Sequence, residues 1–84
     1  MVHILIIDDQ ALVRTGLRHI LANSNEITKV SEASSGEAGL RRCRRMRPDA
    51  ILLSVNLPGL TGFEITRRLK RAHPGAGIII LAKH

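Results

Sequence analysis

The chain has 84 residues, 44% of them hydrophobic and only one aromatic, and it carries a net charge of +6. This length limits it to one small domain with a thin aliphatic core, and the apolar content excludes a disordered chain. The single cysteine, Cys43, excludes a disulfide framework, and no apolar run approaches the roughly 20 residues of a membrane span. Because no secretory leader begins the sequence, we expect a cytoplasmic protein that does not contact a membrane.

Four segments predict β-strands. They are residues 3–7, 27–33, 50–53 and 78–82. Each is rich in aliphatic residues and ends at polar or turn residues. Helical segments separate them, and this alternation predicts a parallel sheet with right-handed crossovers. The second strand is the most polar and therefore belongs at an edge. The predicted architecture is α/β, a flavodoxin-like three-layer fold with strand order 2-1-3-4.

Three amphipathic helices lie between these strands. The first is predicted over residues 11–22, and capping boxes at Ser34-x-x-Glu37 and Thr61-x-x-Glu64 begin the second and third. The expected core-facing residues of the second and third helices are Gly39, Leu40, Cys43, Met46, Ile65, Leu69 and Ala72.

Polar residues end the first and third predicted strands, where the order of the sheet reverses. Asp8 and Asp9 follow the first strand, and Ser54 follows the third. Such a switch point opens a crevice at the carboxyl ends of the strands. Two adjacent carboxylates suit Mg²⁺, which takes one or two carboxylates and keeps several waters. The alternative is that Asp9 caps the first helix and Asp8 only ends the strand.

Several motifs in register resemble the receiver domain of two-component response regulators. They are "ILIIDDQALVRTGLRHIL", "SGEAGL", "RPDAILL", "LPGLTGFE" and the apolar fourth strand. The stretches "LVRTGLRHIL" and "LKRAHP" are most similar to the GacA/UvrY-type subclass that precedes a helix-turn-helix output domain. The resemblance covers residues 1–84 and implies a partial receiver-like domain, an incomplete (βα)₅ fold that lacks strand five and the last helices.

The resemblance also implies roles for five positions of a phosphorylation site. Asp8 and Asp9 would bind Mg²⁺ with the backbone carbonyl of Asn56. Ser54 occupies the position of the aspartate that accepts a phosphoryl group from a histidine kinase, and Ala82 occupies the position of a switch Thr or Ser. Since a carboxylate is missing at Ser54, we expect Mg²⁺ to bind weakly and aspartyl phosphorylation to be lost.

The expected function is therefore that of a non-enzymatic receiver-like module in two-component signalling. It would act through contacts with a sensor kinase or other regulators, or through dimerisation. The absence of a fifth strand predicts an uncovered aliphatic face and an open sheet edge, both of which favour self-association. The alternative is an N-terminal fragment of a phosphorylation-controlled DNA-binding transcription regulator with an altered phosphoacceptor site.

Two further functions are disfavoured. The basic runs "RRCRRMR" (41–47) and "RRLKR" (67–71) fall on predicted helices without aromatic neighbours, so a solvated helix face is favoured over direct nucleic-acid binding. The same arginines would alternatively dock an acidic partner surface. A hydrolase that uses Ser54 lacks the G-x-S-x-G elbow. Its candidate bases would be His3, His19, His73 and His84.

Overall fold

The computed structural model describes residues 2–55 and 57–82. Seven elements follow one another, with strands and helices in strict alternation. They are β1 (Val2–Ile7), α1 (Ala11–Leu21), β2 (Ile27–Ala33), α2 (Gly36–Met46), β3 (Ala50–Ser54), α3 (Gly62–Ala72) and β4 (Gly77–Leu81).

The four strands form one parallel sheet in the order β2-β1-β3-β4. This confirms the predicted flavodoxin-like order. β1 lies between β2 and β3, and its last four residues, Ile4 to Ile7, are buried. A strand covered on both faces cannot alternate apolar and polar residues, which explains why "ILII" is continuously apolar.

Helices cover both faces of the sheet. α2 and α3 lie on one face, where the larger apolar cluster joins Leu5, Ile7, Ile51, Leu53, Leu40, Cys43, Ile65 and Leu69. α1 lies on the other face, where Leu17 and Leu21 pack against the smaller cluster of Ile4, Ile6 and Leu52. Consecutive residues of β1 and β3 thus serve opposite layers, as the pleat of a strand requires.

The N-termini of α2 and α3 are fixed by hydroxyl caps. Thr61 caps α3 as predicted, and its Oγ1 accepts a hydrogen bond from the Glu64 backbone N–H at 3.1 Å. The predicted cap of α2 was wrong by one residue. Ser35, not Ser34, adopts the extended cap conformation, and its Oγ accepts from the Ala38 N–H at 3.1 Å. Two adjacent serines offered the same chemistry, and only the backbone conformation distinguishes them.

The predicted buried residues of α2 and α3 are largely confirmed. Leu40, Cys43, Ile65 and Leu69 are buried, and so is Gly39. Met46 and Ala72 lie in the last turns of their helices and are only half-buried.

Apolar side chains remain exposed on the α1 side and at the β4 edge. Ile79 and Ile80 of β4 are 55% and 50% exposed, and Leu12 and Ile20 of α1 are 85% and 68% exposed. Within the described part of the chain, β4 thus lies at one end of the four-strand order, with Ile79 and Ile80 exposed. Among the described residues, no helix has the length and apolar character to cross a membrane.

Candidate functional site

The candidate site is the edge of the sheet at which β1 and β3 end. Ile7 pairs with Leu53, so the following residues, Asp8 and Ser54, lie next to each other on neighbouring strands. Both are fully buried. Ser54 in turn pairs with Leu81 of β4, which brings Ala82 to the same edge. Topology thus brings together three of the residues predicted to form the site.

Asp8 is held firmly at this edge. Its backbone N–H donates to the Ala33 carbonyl of β2 at 3.1 Å, and its Oδ1 accepts from the Gln10 backbone N–H at 2.9 Å. The cap residue of α1 is Gln10, with no side-chain cap bond, so Asp9 does not cap the helix as the alternative proposed. Asp9 is exposed at the mouth of the site. One buried and one exposed carboxylate therefore follow β1.

A charged clamp beside Asp8 was not predicted from the sequence. Glu32 of β2 accepts from Arg14 Nε and Arg18 Nε of α1, each at 2.8 Å. Arg14 also donates from Nη1 to the Asp8 carbonyl oxygen at 2.7 Å. The hydrogen bond from Arg18, and then that from Arg14, holds the pKa of the Glu32 carboxyl below its ordinary value. The clamp fixes α1 on β2 and supports the backbone of the acidic pair.

One sequence signal for the clamp existed. Arg14 and Arg18 stand four residues apart, which places both on one face of a helix. Glu32 is the acidic residue inside β2, the strand predicted to lie at an edge. The spacing alone did not reveal that α1 packs over β2 and brings the three together.

No described histidine is placed to activate Ser54. His3 lies at the start of β1, the opposite end of the strand, where its Nε2 is hydrogen-bonded to Ser31 Oγ at 2.9 Å. Burial lowers the pKa of the His3 imidazole, and Lys29 lowers it further. His73 donates from Nε2 to the Pro48 carbonyl, just before β3 begins. His19 is exposed on α1, and His84 lies outside the described residues.

Cys43 is no better as a nucleophile. It lies on the buried face of α2, and burial raises the pKa of its thiol above the ordinary value. A thiol that stays protonated at neutral pH reacts poorly. Nothing in this placement supports nucleophilic hydrolysis by either side chain.

Two carboxylates at this edge are the candidate metal ligands. Asp8 and Asp9 are the carboxylates at the edge, and no cluster of three or more His, Cys, Asp or Glu side chains suited to a metal ion occurs among residues 2–55 and 57–82. Asn56, whose backbone carbonyl the resemblance assigns to the metal, lies outside the described residues. One oxygen of Asp8 is already engaged by the Gln10 N–H.

The loop between β3 and α3 borders the site. Leu57 is buried, whereas Pro58 and Gly59 are exposed in a bend. Gly59 has φ 90°, a left-handed value that favours glycine. A Pro-Gly pair is typical of such a change of chain direction. The loop then runs directly into the Thr61 cap, so it links the end of β3 to the start of α3.

Known proteins match both the sequence and this geometry. The model of the response regulator receiver domain family matches residues 4–84. "Response regulator GacA" of Pseudomonas viridiflava is 40% identical over 79 residues, which cover 94% of this chain and 37% of that protein. "Response regulator UvrY" of Escherichia coli K12 is 39% identical over 84 residues, or 100% of this chain and 38% of that protein. The chain thus spans less than two-fifths of these relatives.

Solved structures agree with the fold. A LuxR-family two-component response regulator from Aurantimonas sp. SI85-9A1 superposes with a TM-score of 0.91 at 30% identity, over 100% of this chain and 60% of that one. A response regulator receiver domain protein from Clostridium thermocellum gives a TM-score of 0.90 at 29% identity, over 100% and 67%. With the family model matching nearly the whole sequence, the chain belongs to the receiver domain family of two-component response regulators.

Proposed function

We propose that this receiver domain does not accept aspartyl phosphorylation and acts in signalling through protein contacts, including contact with a second copy. The observation that carries the proposal is Ser54, fully buried at the end of β3 beside Asp8. In the receiver family this position is an aspartate. A serine has no carboxylate with which to form an aspartyl phosphate, and its neutral hydroxyl is a weaker nucleophile than the aspartate it replaces.

Ala82 supports the same proposal. It follows Leu81, the β4 partner of Ser54, and the family pattern places a Thr or Ser there to hydrogen-bond the phosphoryl group. A methyl group donates no hydrogen bond. The acceptor and the switch residue are thus both replaced at one edge of the sheet, which favours a signal that does not depend on a phosphoryl group.

We propose that Asp8, Asp9 and the Asn56 carbonyl bind Mg²⁺ weakly. Two carboxylates suffice for a Mg²⁺ site that keeps most of its waters. The third carboxylate of the family pattern is replaced by the Ser54 hydroxyl. Such a metal would neutralise the charge of the acidic pair, and Arg14 donates to the backbone carbonyl of Asp8 beside it.

Phosphodonor labelling tests this proposal. The chain is incubated with a small-molecule phosphodonor and Mg²⁺, and its intact mass is measured beside those of S54A and S54D. We expect no mass increase of one phosphoryl group in the wild type or in S54A. A phosphoryl adduct on the wild type would overturn the proposal. Its loss in S54A would identify Ser54 as the acceptor, and its retention in S54A would place it on another residue.

The S54D variant separates the proposal from a second candidate. The relatives named above are full-length response regulators, and this chain covers 37–38% of them. The second candidate is that this chain is the N-terminal part of a phosphorylation-controlled DNA-binding transcription regulator with an altered acceptor site. That alternative predicts strong labelling of S54D. Our proposal predicts tighter Mg²⁺ binding by S54D but little labelling, because position 82 still lacks a hydroxyl.

A further inference from the structure

The positive charge of the chain is concentrated on one side. Nine of the 13 basic residues but only two of the seven acidic ones lie on α2, its cap Arg47 and α3. The remainder of the chain carries four basic and five acidic residues. The excess therefore belongs to the side of the sheet that α2 and α3 cover, away from α1.

A groove between α2 and α3 collects part of this charge. It has a volume of about 360 Å³ and is lined by Arg44, Glu64, Arg68, Arg71 and Ala72. Arg44 comes from α2, and the other four residues come from α3. The apolar Ala72 lies at the end of the groove where the helices terminate, and the strands begin at that same end.

The carboxylate in the groove is already engaged. Glu64 Oε1 lies 3.2 Å from Arg67 Nη1, and Glu64 Oε2 lies 3.1 Å from Arg68 Nε. Among the described residues, no carboxylate lies within ion-pair distance of Arg44 or Arg71. The groove thus presents two guanidinium groups that the fold itself does not neutralise.

Helix stability accounts for only part of this arrangement. Arg44, Arg45, Lys70 and Arg71 lie in the last turns of α2 and α3, where cations interact favourably with the helix dipole. Arg41 and Arg67 lie further from the C-termini and gain little from it. Six of the exposed arginines of these helices form a broader surface, which we call the arginine face: Arg41, Arg44, Arg45, Arg67, Arg68 and Arg71. Arg42 is also exposed, but it lines a pocket with Glu32 and Ala33 of β2 and is not included in this face.

We propose that the arginine face binds an acidic α-helix of a partner protein in the α2–α3 groove, with Arg44 and Arg71 as its central contacts. Side chains three or four residues apart on a helix are neighbours, about 5–6 Å apart. The arginines on α2 and α3 repeat at this spacing. They therefore match a partner helix whose carboxylates also stand three or four residues apart. Guanidinium groups bind carboxylates through two parallel hydrogen bonds.

Nucleic acid fits this surface less well. Both helices lie flat on the sheet with Leu40, Cys43, Ile65 and Leu69 buried beneath them, so neither projects far enough to enter a major groove. The single aromatic residue of the chain, Phe63, is exposed four residues before Arg67 and does not line the groove. The arginine face therefore offers bases one stacking side chain at its margin and none at its centre. Nucleic acid would therefore contact this face mainly through its phosphates, and binding of duplex DNA can be compared with binding of an acidic peptide.

The test is a binding titration of the 84-residue chain, followed by fluorescence anisotropy at low salt. The probe is a fluorescein-labelled, alanine-based helical peptide with glutamates three and four residues apart, and its counterpart carries glutamine instead. We expect the glutamate peptide to bind and the glutamine peptide not to bind. We expect R44Q/R71Q to weaken binding by about tenfold.

A matched variant separates the groove from net charge. K29Q/R42Q also removes two positive charges, but Lys29 lies on β2 and Arg42 faces the β2 side of α2. We expect this control to weaken binding by less than about threefold. Circular dichroism melts establish that both variants are folded.

Three results would overturn the proposal. The first is the absence of binding by the glutamate peptide. The second is an equal loss of affinity in R44Q/R71Q and K29Q/R42Q, which would mean attraction to net charge alone. The third is tighter binding of a duplex DNA oligonucleotide with the same loss in R44Q/R71Q, which would assign the face to nucleic acid. The face lies on helices α2 and α3 rather than at the Asp8–Ser54 edge, so these results do not depend on phosphorylation.

Discussion

Glu32 connects three parts of the molecule through one side chain. Its two oxygens accept hydrogen bonds from Arg14 and Arg18 of α1, and Arg14 also donates a hydrogen bond to the backbone carbonyl of Asp8. The side chains of Arg14 and Glu32 are 17% and 30% exposed, so this pair is screened less than an ordinary surface pair. The clamp therefore supports the orientation of α1 and the acidic pair together.

We predict that E32Q lowers the free energy of unfolding by about 1 kcal/mol at neutral pH, because it removes charge-assisted hydrogen bonds that are partly exposed. The native pKa of Glu32 lies below its ordinary value of 4.5. The stabilisation is therefore present above that value and is lost as the pH falls through the lower, native pKa. Urea denaturation of both proteins at neutral and acidic pH measures this difference.

The matched control is E26Q, which removes the same charge from an exposed position just before β2. We expect E26Q to resemble the wild type at both pH values. A difference between E32Q and the wild type that persisted in strong acid would contradict the assignment of the effect to the ionised clamp.

At the residue scale the sequence predicted the candidate site in part. The apolar runs "ILII" and "AILL" predicted where β1 and β3 end, and this prediction placed Asp8 and Ser54 at one edge of the sheet. The clamp was not predicted, because it depends on how α1 lies over β2. Its hydrogen bonds join residues that are 14 or more positions apart in the sequence. The cap of α2 was misassigned because adjacent serines are equivalent in a propensity argument.

Two glycines set how closely the elements approach one another. A Cβ built on Gly39 of α2 would overlap the side chain of Ile7 in β1, and one on Gly36 would overlap Ile65 of α3. Gly16 of α1 faces open space. The same residue type therefore has opposite consequences in two helices: in α2 it permits contact with the sheet, and in α1 it only lowers helix propensity.

We predict opposite effects of alanine at these positions. G39A should destabilise the protein by about 1–3 kcal/mol, because buried Ile7 cannot move away in a packed core. G16A should stabilise it by about 0.5–1 kcal/mol, since alanine favours the helix and contacts nothing. Chemical denaturation of the two variants beside the wild type measures both. Stabilisation by G39A would contradict the close approach of α2 to β1.

At the element scale the fold was largely predictable. Strand order followed from alternation, from the polar character of β2 and from the right-handed crossover rule. β2 was predicted at its observed bounds, and β4 begins one residue earlier than predicted, at Gly77. The close contacts of Gly39 with β1 and of Gly36 with α3 were not predicted, because a glycine in a helical pattern does not reveal its neighbour.

At the scale of the whole molecule the two sides of the sheet differ in chemistry. The α2–α3 side carries the arginines. The α1 side and the β4 edge carry exposed aliphatic groups, with Ile79 at 55% and Ile20 at 68% exposure. β4 reads "GIIIL" and contains no charge or proline, the features that natural edge strands use to prevent pairing. Contact with a second copy is therefore expected at β4, where charge does not oppose it.

We predict that the 84-residue chain self-associates through the β4 edge, so its weight-average mass by sedimentation equilibrium should rise with protein concentration. I79K places an ammonium group on that edge and should abolish the rise. F63K adds the same charge at an exposed apolar residue of α3 and should associate like the wild type. A concentration-independent monomer mass for the wild type would refute self-association. Equal association of I79K and F63K would move the interface away from β4.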